Sequence, residues 1–415
     1  MTTFDRIERR LPELIDDLAA ATVPDYFDDM LQQTTQSRQR PAWSSLERWL
    51  PMGVIARPLP VRPLPWRLFA VAALVALLAA ATLIYAGSRT RVPPPFGPAR
   101  NGALVIGTSD GDIVTVDPAT GETTPLISGP TIDSGPFYSN DGQRILFDRA
   151  AATAPDVKAI YVANADGSGA RPAFPTGPDI TWFEWAPNVD RAVLTESLNG
   201  KGTVATVDLV TGVRTALALD LDVEAAMWRP NHDQIVVTAK AGDNRTYWVV
   251  NADGTKPRQI AVSSYAINQP TLSSDGTRLA YATWEPVVEG RIRVVDIDAG
   301  GDHSITTDDI DHYVWQTPAF SPDGTQILVH RIIQGTYRSQ IAVLPAAGAG
   351  RAIVMGPETD NQAANPFFSP DGTTILIEYP ELKTFWIFDR NGQNGREAPF
   401  ASISGDGATW QRLAP

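Results

Sequence analysis

One short string in the chain matches, letter for letter, the pattern around the serine nucleophile of many hydrolases. Gly107, Ser109 and Gly111 occupy the three fixed positions of G-x-S-x-G. In those hydrolases the serine stands on a sharp turn that leads from a strand into a helix. Here a β-rich run lies on each side, at 103–107 and 113–117, which favours a hairpin turn. We therefore predict no catalytic residue in this string and no enzyme activity for the chain.

Side chains of the metal-binding types are present but scattered. The chain has no Cys, and its four His share no short motif: His232, His303, His312 and His330. A zinc site brings three or four such ligands together, usually from closely spaced positions. The carboxylates of the string DIDAGGD, residues 296–302, resemble a calcium loop, but the glutamate that closes such a loop is missing. We predict no metal site, no phosphate-binding loop and no cofactor.

Charge and cysteine content exclude further classes of protein. The chain has 34 Lys and Arg against 47 Asp and Glu, a formal net charge of −13. The charges within residues 1–67 cancel, so the acidity belongs to the rest of the chain. Because an acidic domain repels phosphate backbones, we predict no nucleic-acid binding. A large exported eukaryotic domain usually carries disulfides, so the lack of Cys favours a bacterial or archaeal source.

The clearest boundary in the chain is an uninterrupted apolar run. Residues 68–86 read LFAVAALVALLAAATLIYA, without a charged residue, Gly or Pro. As a helix this run would be roughly 28 Å long, close to the ~30 Å thickness of the hydrocarbon core of a bilayer. It begins too far from the N-terminus for a cleaved signal peptide. We predict one transmembrane helix over residues 67–87 that anchors the protein in the cell membrane.

The basic residues around this run predict its orientation. Four Arg lie within about twenty residues before it and three follow it, and this small excess places the N-terminus in the cytoplasm. Proline-rich stretches on both sides, including residues 88–100, are typical of extended spacers. We predict a helical cytoplasmic segment with a proline-rich linker at 1–66 and an extracytoplasmic domain at 101–415.

Beyond residue 100 the sequence repeats a unit of a turn followed by a strand. In its fullest form an aromatic residue and Ser-Pro-Asp-Gly precede a β-rich run, as at 320–324 and 368–372. Each unit continues with two strands joined by a Gly-containing hairpin turn. Four strands per unit of about 45 residues are typical of a β-propeller. The turn Asp, replaced by Asn in two eroded copies, falls at positions 141, 188, 231, 275, 323 and 371.

The two ends of the repeat region complete a ring. Seven hairpins are present, but only six turn units precede them. The missing opening strand is found at 409–412, where Trp410 takes the repeat position of Trp185 and Phe320. This strand would pair with 103–107 and complete the first blade. We predict an all-β propeller with seven four-stranded blades, within a range of six to eight.

The F-S-P-D-G turn and its following strand resemble the repeat of the TolB-like family of WD-type propellers, also known as the PD-type repeat. The resemblance covers about residues 100–415 and implies the propeller fold, while it leaves function open. The turn residues have two interpretations, contact with a ligand or cation and hydrogen bonding within the turn, and we favour the second. They are Asp141, Gly142, Asp275, Gly276, Asp323, Gly324, Asp371 and Gly372.

Large aromatic residues just before these turns, or in longer connections, are candidates for a binding face. A propeller has two faces built from loops and a central channel, where clustered aromatic side chains bind peptides or sugars. The other interpretation of these residues is packing between blades. The candidates are Trp182, Trp284, Tyr313, Trp315 and Tyr379.

The segment before the apolar run contains short amphipathic patterns. Sixty-six residues with weak helices bury little surface alone, so their apolar stripes need a partner. One interpretation is the docking of a cytoplasmic protein, and the other is contact with the membrane surface. The layout resembles that of membrane-bound anti-sigma regulators, although their zinc-type H-x-x-x-C-x-x-C signature is absent. The candidate contacts with a cytoplasmic partner are Ile7, Leu11, Leu14 and Leu18 in an apolar stripe at 4–18, and Phe27 and Leu31 in a second amphipathic piece at 25–38.

Together these patterns predict a non-catalytic, membrane-anchored propeller that binds an extracytoplasmic ligand or protein. It would relay binding to a cytoplasmic partner, such as a sigma factor, held by residues 1–66. The alternative is an envelope scaffold that holds a multiprotein assembly and passes no signal. The sequence leaves the binding face and the oligomeric state open.

Overall fold

The computed structural model divides the chain into two compact units, Met1–Arg89 and Thr90–Pro415. In the first unit it describes residues 70–79. In the second unit it describes 96–173, 180–187, 190–264, 270–285, 288–306, 313–336, 338–348, 350–360, 365–400 and 408–414.

The described part of the first unit is a helix over residues 70–79. Its apolar side chains Val71 and Leu74 are exposed. Among the residues that the structure describes, no helix combines the length and the apolar character needed to cross a bilayer. Of the predicted span at 68–86, the structure describes residues 70–79. The predicted stripe of the N-terminal segment lies outside the described residues: Ile7, Leu11, Leu14, Leu18, Phe27 and Leu31.

The second unit is a β-propeller in which, between residues 96 and 414, seven four-stranded antiparallel sheets form the blades. Blade 1 contains β1 (Arg100–Gly107), β2 (Ile113–Val116) and β3 (Thr123–Ile127). Blade 2 contains β4 (Thr131–Tyr138), β5 (Arg144–Ala151), β6 (Ala154–Asn164) and β7 (Arg171–Pro172). Blade 3 contains β8 (Ile180–Trp185), β9 (Arg191–Leu198), β10 (Lys201–Asp208) and β11 (Arg214–Ala216).

The remaining strands continue this order. Blade 4 contains β12 (Asp222–Trp228), β13 (Gln234–Ala241), β14 (Asn244–Asn251) and β15 (Arg258–Ser264). Blade 5 contains β16 (Thr271–Leu272), β17 (Arg278–Glu285), β18 (Val288–Asp296) and β19 (His303–Ser304). Blade 6 contains β20 (Tyr313–Phe320), β21 (Gln326–Ile333), β22 (Arg338–Pro345) and β23 (Ile353–Asp360). Blade 7 contains β24 (Asn365–Phe368), β25 (Thr374–Tyr379), β26 (Thr384–Asp389) and β27 (Arg396–Glu397), and β28 (Ala408–Leu413) follows.

The second strand of a blade is apolar along both of its sides. β13 reads QIVVTAKA and buries five consecutive residues, and β25 reads TILIEY and also buries five. A strand with one side in water would instead alternate between apolar and polar residues. The continuous runs therefore reflect sheets that are covered on both faces by neighbouring sheets.

Apolar clusters fill the seven spaces between neighbouring blades in the described part of the propeller. Alternate side chains of a strand point to opposite sides of the sheet. Accordingly, Ile375 and Ile377 of β25 pack with Leu328 of blade 6, whereas Leu376 packs with Leu104 of blade 1. Because blade 7 contacts blade 1 in the same way as every other pair, the sheets form a closed ring.

The last strand completes the first blade, as the sequence predicts. β28 pairs with β1 in antiparallel register, with Leu104 opposite Trp410 and Ile106 opposite Ala408. Trp410 is 9% exposed and lies in the cluster between blades 7 and 1. The prediction of seven blades, with the first one closed by the C-terminal strand, is therefore confirmed.

Asp275 shows how the repeated turn is held. Its Oδ1 accepts hydrogen bonds from Ser273 Oγ (2.5 Å), Thr277 N (2.9 Å) and Thr277 Oγ1 (2.8 Å). Gly276 N donates to Ser273 O (2.8 Å). Burial by itself would raise the pKa of Asp275, but these hydrogen bonds outweigh it and the pKa is lowered. The turns of blades 2, 6 and 7 have matching Ser–Asp bonds, so hydrogen bonding within the turn accounts for the repeated Asp.

A proline lies in, or immediately before, the innermost strand of four blades. A Pro stands five residues before the turn Asp in four blades, at Pro136, Pro270, Pro318 and Pro366. The first strand of each blade pairs on one side only, because its other edge faces the central channel. Proline has no N–H to offer, so it is tolerated at such an edge and discourages pairing with another strand.

We expect Gly276→Ala to destabilise the propeller more than the matched change Gly372→Ala. Both glycines have positive φ, +73° and +69°, a conformation that costs an L-residue about 1–2 kcal/mol. A Cβ at Gly276 would also lie 2.1 Å from Pro230 O, whereas the nearest atom to a Cβ at Gly372 is 3.6 Å away. Denaturant titration of both variants measures the loss of unfolding free energy. Equal losses would contradict the close contact at Gly276.

Candidate functional site

A cavity of about 370 Å³ opens where the innermost strands end. These strands lead into the repeated turns, and we call the side of the propeller that carries them the turn face. Arg412, Asn140 and Glu184 line the cavity from blades 1, 2 and 3, and Met227 and Trp228 line it from blade 4. Blades 5 and 6 contribute residues from β16 and β20 and the turns that follow, and blade 7 contributes residues from β24. Because every blade reaches it, this cavity is the mouth of the central channel, and we call it the mouth cavity.

Most side chains in the wall of the mouth cavity are apolar. Seven of them occupy the last two positions before the turn in blades 4 to 7, where blade 5 alone has a polar residue, Thr271, at the first position, so the ring brings equivalent positions from four repeats to one place. A site with this wall binds apolar side chains in preference to a strongly charged molecule. The residues are Met227, Trp228, Leu272, Ala319, Phe320, Phe367 and Phe368.

Arg412 of β28 supplies hydrogen-bond donors to the same wall. Its Nε donates to Asn140 O (3.0 Å) and its Nη2 donates to Gly97 O (2.8 Å). Burial lowers the pKa of Arg412, although a guanidinium remains protonated near neutral pH. Asn140 O and Gly97 O are both backbone carbonyls, so this charge interacts with peptide groups on two separate segments.

The chain reaches the propeller across the turn face. Phe96 and Gly97, which precede β1, line the mouth cavity. Ala99 is buried, and its N donates to Pro370 O of blade 7 (2.9 Å). We call residues 96–99 the leading segment. The mouth cavity is thus formed by seven blades together with the residues that lead into them.

The eroded repeat units change the turn face locally. In blade 4 the turn serine is replaced by Arg229, which is 1% exposed and donates to Gly276 O (2.7 Å) and to both Asp298 oxygens (3.1 and 2.5 Å) in blade 5. The hydrogen bond from Arg229 lowers the pKa of Asp298. Nearby, the Arg191 guanidinium lies 4.8 Å from the centre of the Trp228 ring, beside a groove of about 190 Å³. Contacts between blades therefore replace the local bonds of the turn.

The predicted binding-face aromatics are distributed over several blades. Trp315 and Tyr379 are 3% and 1% exposed and belong to the apolar clusters between blades. Packing between blades, the second interpretation of these residues, therefore holds for both. Tyr313 is half-buried against an arginine guanidinium, whose carbon lies 3.9 Å from its ring centre. Trp182 lies in β8 and Trp284 lies in β17.

The aromatic wall of the mouth cavity was not predicted as a site. Phe320 and Phe368 were visible in the sequence only as the first residues of the best turn units. The signal that would have identified them is their fixed position before the turn. Equivalent positions of a closed ring converge at its axis, so a large residue there faces the centre of one side.

The serine string forms the hairpin that the sequence predicts. Thr108 N donates to Asp112 O (2.7 Å) and Gly111 N donates to Thr108 O (3.0 Å), between the paired strands β1 and β2. A nucleophile elbow would lead into a helix instead. The interpretation of this string as a turn is therefore confirmed.

The carboxylates of the DIDAGGD string point to different partners. Asp296 Oδ1 accepts bonds from the backbone N–H groups two and three residues on (3.0 and 2.8 Å). Asp298 pairs with Arg229, and Asp302 pairs with Arg293 (3.0 Å). Across the residues that the structure describes, no three His, Cys, Asp or Glu are placed to hold a metal ion.

No known family model matches the chain, and no curated protein sequence matches it. Solved structures match it in shape. Prolyl endopeptidases share 11% identity with it over 77% of this chain and 51% of that chain, with a TM-score of 0.56. An oligogalacturonate lyase in complex with manganese shares 12% identity over 72% of this chain and 85% of that chain, with a TM-score of 0.52. TolB from Acinetobacter baumannii shares 15% identity over 77% and 68%, with a TM-score of 0.47.

At these identities the comparisons show the fold alone, which is that of a β-propeller. The chain spans about half the length of the prolyl endopeptidases that it matches. Because structures of this shape include enzymes, and a fold by itself does not imply a function, the fold does not decide between catalysis and binding. The choice between catalysis and binding therefore has to rest on the residues that line the mouth cavity.

His330 of β21 gives the propeller a pH dependence. It is 4% exposed, and burial lowers its pKa from the ordinary 6.5 to about 4. The unfolded chain therefore takes up a proton at a higher pH than the folded protein does. Stability is present above the unfolded pKa and is lost as the pH falls from about 6.5 towards 4. The loss is about 3 kcal/mol at pH 4, at 1.36 kcal/mol per pKa unit.

We expect the variant His330→Thr to lose about 3 kcal/mol less stability than the wild type between pH 7 and pH 4. The equivalent strand positions in blades 3 and 4 carry Thr195 and Thr238, so threonine suits the site. Denaturant unfolding at both pH values measures the effect. The change in unfolding free energy between pH 7 and pH 4 is compared between the two proteins. The contributions of the carboxylates and of the altered packing cancel in this comparison. Equal pH dependence of the two proteins would contradict a neutral buried imidazole.

Proposed function

We propose that the chain is a membrane-anchored, non-catalytic β-propeller that binds a segment of another protein at the mouth cavity. The observation that carries this proposal is the cavity itself, about 370 Å³ in volume with a mainly apolar wall. This volume is near the lower end of the ~300–1,000 Å³ range of ligand sites. It matches a few side chains of a docked segment, and not a folded domain.

The chemistry of the wall favours a peptide over a charged small molecule. Leu272, Phe320 and Phe367 offer apolar surface, whose burial contributes about 25 cal/mol per Å². Arg412 offers donors that already bond to backbone carbonyls. A peptide supplies apolar side chains and carbonyl oxygens together. A polyanion would find a single guanidinium within a largely apolar site.

The anchor in this proposal is the apolar run at residues 68–86, with the propeller outside the cytoplasm. Residues 1–66 then face the cytoplasm, where their amphipathic stripe would hold a regulator such as a sigma factor. A scaffold would use the same mouth cavity but pass no signal. The relay and the scaffold differ in whether a ligand in the mouth cavity changes what residues 1–66 bind. The amphipathic stripe of residues 1–66 favours the relay.

We expect the full-length protein to stay with membranes during an alkaline carbonate wash, and a variant that lacks residues 68–86 to be released. The deleted run is the one that has the length of a bilayer core. Fractionation of the native host and immunodetection measure both proteins. A deletion of residues 88–95 is the control, because it shortens the chain nearby but keeps the apolar run. Retention of both deletion variants, or release of both, would contradict the anchor.

We expect a photo-crosslinker at position 320 to capture a partner protein in intact cells of the native host. Phe320 lines the mouth cavity, and benzoylphenylalanine keeps its aromatic ring there. The control is the same crosslinker at Leu382, which is 54% exposed between β25 and β26, at the opposite end of the strands. An adduct from position 320 alone supports the proposal. Equal adducts from both positions, or none from either, would argue against it.

A further inference from the structure

We infer that the leading segment, residues 96–99, is an internal ligand of the mouth cavity, which the external ligand must displace. We further infer the class of that external ligand: an extended peptide with an aromatic side chain next to a free backbone carbonyl. This inference rests on the proposed function, because it names the ligand and the regulation of that same site. It starts from Phe96 and Gly97, which already line the cavity.

Gly97 directs the leading segment onto the mouth cavity. Its φ is +83°, and a Cβ built on it would have no atom within 4 Å. A side chain would have ample space at this position. Glycine is therefore required by the positive φ of the backbone and not by a lack of space. This conformation places Phe96 at the cavity wall while Ala99, three residues after Phe96, is already bound to blade 7.

The leading segment is held by hydrogen bonds at two points in the described part of the chain. Arg412 Nη2 donates to Gly97 O (2.8 Å), and Ala99 N donates to Pro370 O (2.9 Å). Phe96 precedes both points and is only partly buried. It follows that Phe96 and Gly97 can leave the cavity while Ala99 stays bound to blade 7. Release then requires the loss of the Arg412 contact and of the apolar contact of one ring.

Arg412 determines what can take the place of the leading segment. Its side chain is half-buried, and its guanidinium donates to the carbonyl oxygens of Asn140 and Gly97. A partly buried donor that loses its acceptor is unfavourable, so a ligand that displaces Gly97 should bring an acceptor of its own. A peptide carbonyl is the equivalent group. An aromatic side chain beside that carbonyl would replace Phe96 against the apolar wall.

Covalent attachment makes the leading segment a strong competitor. A tethered ligand has a high effective concentration at its site, whatever its intrinsic affinity. The apparent affinity for an external peptide is reduced by the fraction of molecules in which the cavity is uncovered. Weakening the leading segment should therefore increase the affinity for an external peptide, although the wall of the cavity is unchanged.

The first test measures an external peptide directly. The probe is a fluorescently labelled peptide V-P-P-P-F-G-P-A, which copies residues 92–99, titrated by anisotropy into the full-length protein in detergent. We expect the variant Phe96→Ala to bind it with a Kd about tenfold lower than the wild type does. The control variant Leu382→Ala should bind like the wild type, because Leu382 lies in a distant turn. The control peptide, with Ala in place of Phe, should bind at least tenfold more weakly to Phe96→Ala.

The second test needs no ligand. Hydrogen–deuterium exchange of the peptide 96–102 in the full-length protein reports how often the leading segment opens. We expect faster exchange in the variant Gly97→Ala, because its backbone disfavours φ +83°. The matched control is Gly200→Ala, since Gly200 also has positive φ (+79°) with open space around it, between β9 and β10. That control should leave the exchange of 96–102 unchanged.

The outcomes separate this inference from the proposed function. Faster exchange in Gly97→Ala together with tighter peptide binding by Phe96→Ala supports the inference. Equal peptide affinity of wild type and Phe96→Ala, or no binding to either, overturns it. Equal binding of the Phe and Ala peptides overturns the aromatic ligand class. Cross-linking from position 320 is independent of all three results, so the proposed function can stand when the internal ligand fails, and the reverse also holds.

Discussion

The packing of each blade against both of its neighbours is the constraint on which the rest of the structure depends. Because the faces of every sheet are covered, the middle strands are mainly apolar on both sides, and the few polar residues within them, such as Thr238 and His330, are buried. The same constraint requires that the last blade meet the first one, as Leu376 and Leu104 do. The central channel and its mouth follow from this closure. The mouth cavity, which residues of all seven blades line, exists because the ring has an axis.

Sequence reasoning succeeded where the signal is local and repeated. The bonds of Asp275 to Ser273 and Thr277 join residues at most two positions apart, so the turn can be read from five consecutive letters. The closing role of Trp410 was also accessible, because it occupies a repeat position. The mouth cavity was not, since Met227 and Phe368 belong to different repeats and meet only through the geometry of the ring. Aromatic character alone could not separate Trp315, which is buried between blades, from a residue on a face.

Where the repeat is eroded, the propeller acquires individual features. A fully regular ring would present the same serine and aspartate at every turn. Arg229 instead reaches from blade 4 to Asp298 of blade 5, and Arg191 stacks on Trp228 across the neighbouring interface. Arg412 in the closing strand likewise bonds to a segment that has no counterpart in the other blades. The asymmetry of the turn face thus comes from a few cations that replace the regular turn bonds.

The closure of blade 1 by β28 has a consequence for how the protein is made. Of the propeller strands that the structure describes, β1 leaves the ribosome first and its partner β28 leaves it last, with six blades between them. Contacts between residues so distant in sequence form late, because closing a long loop costs conformational entropy before the contacts stabilise the fold. Until then the edge of β1 presents unpaired backbone groups, an opportunity for mispairing with another chain. We therefore expect a chaperone to have its largest effect before ring closure, when it would prevent the mispairing of β1.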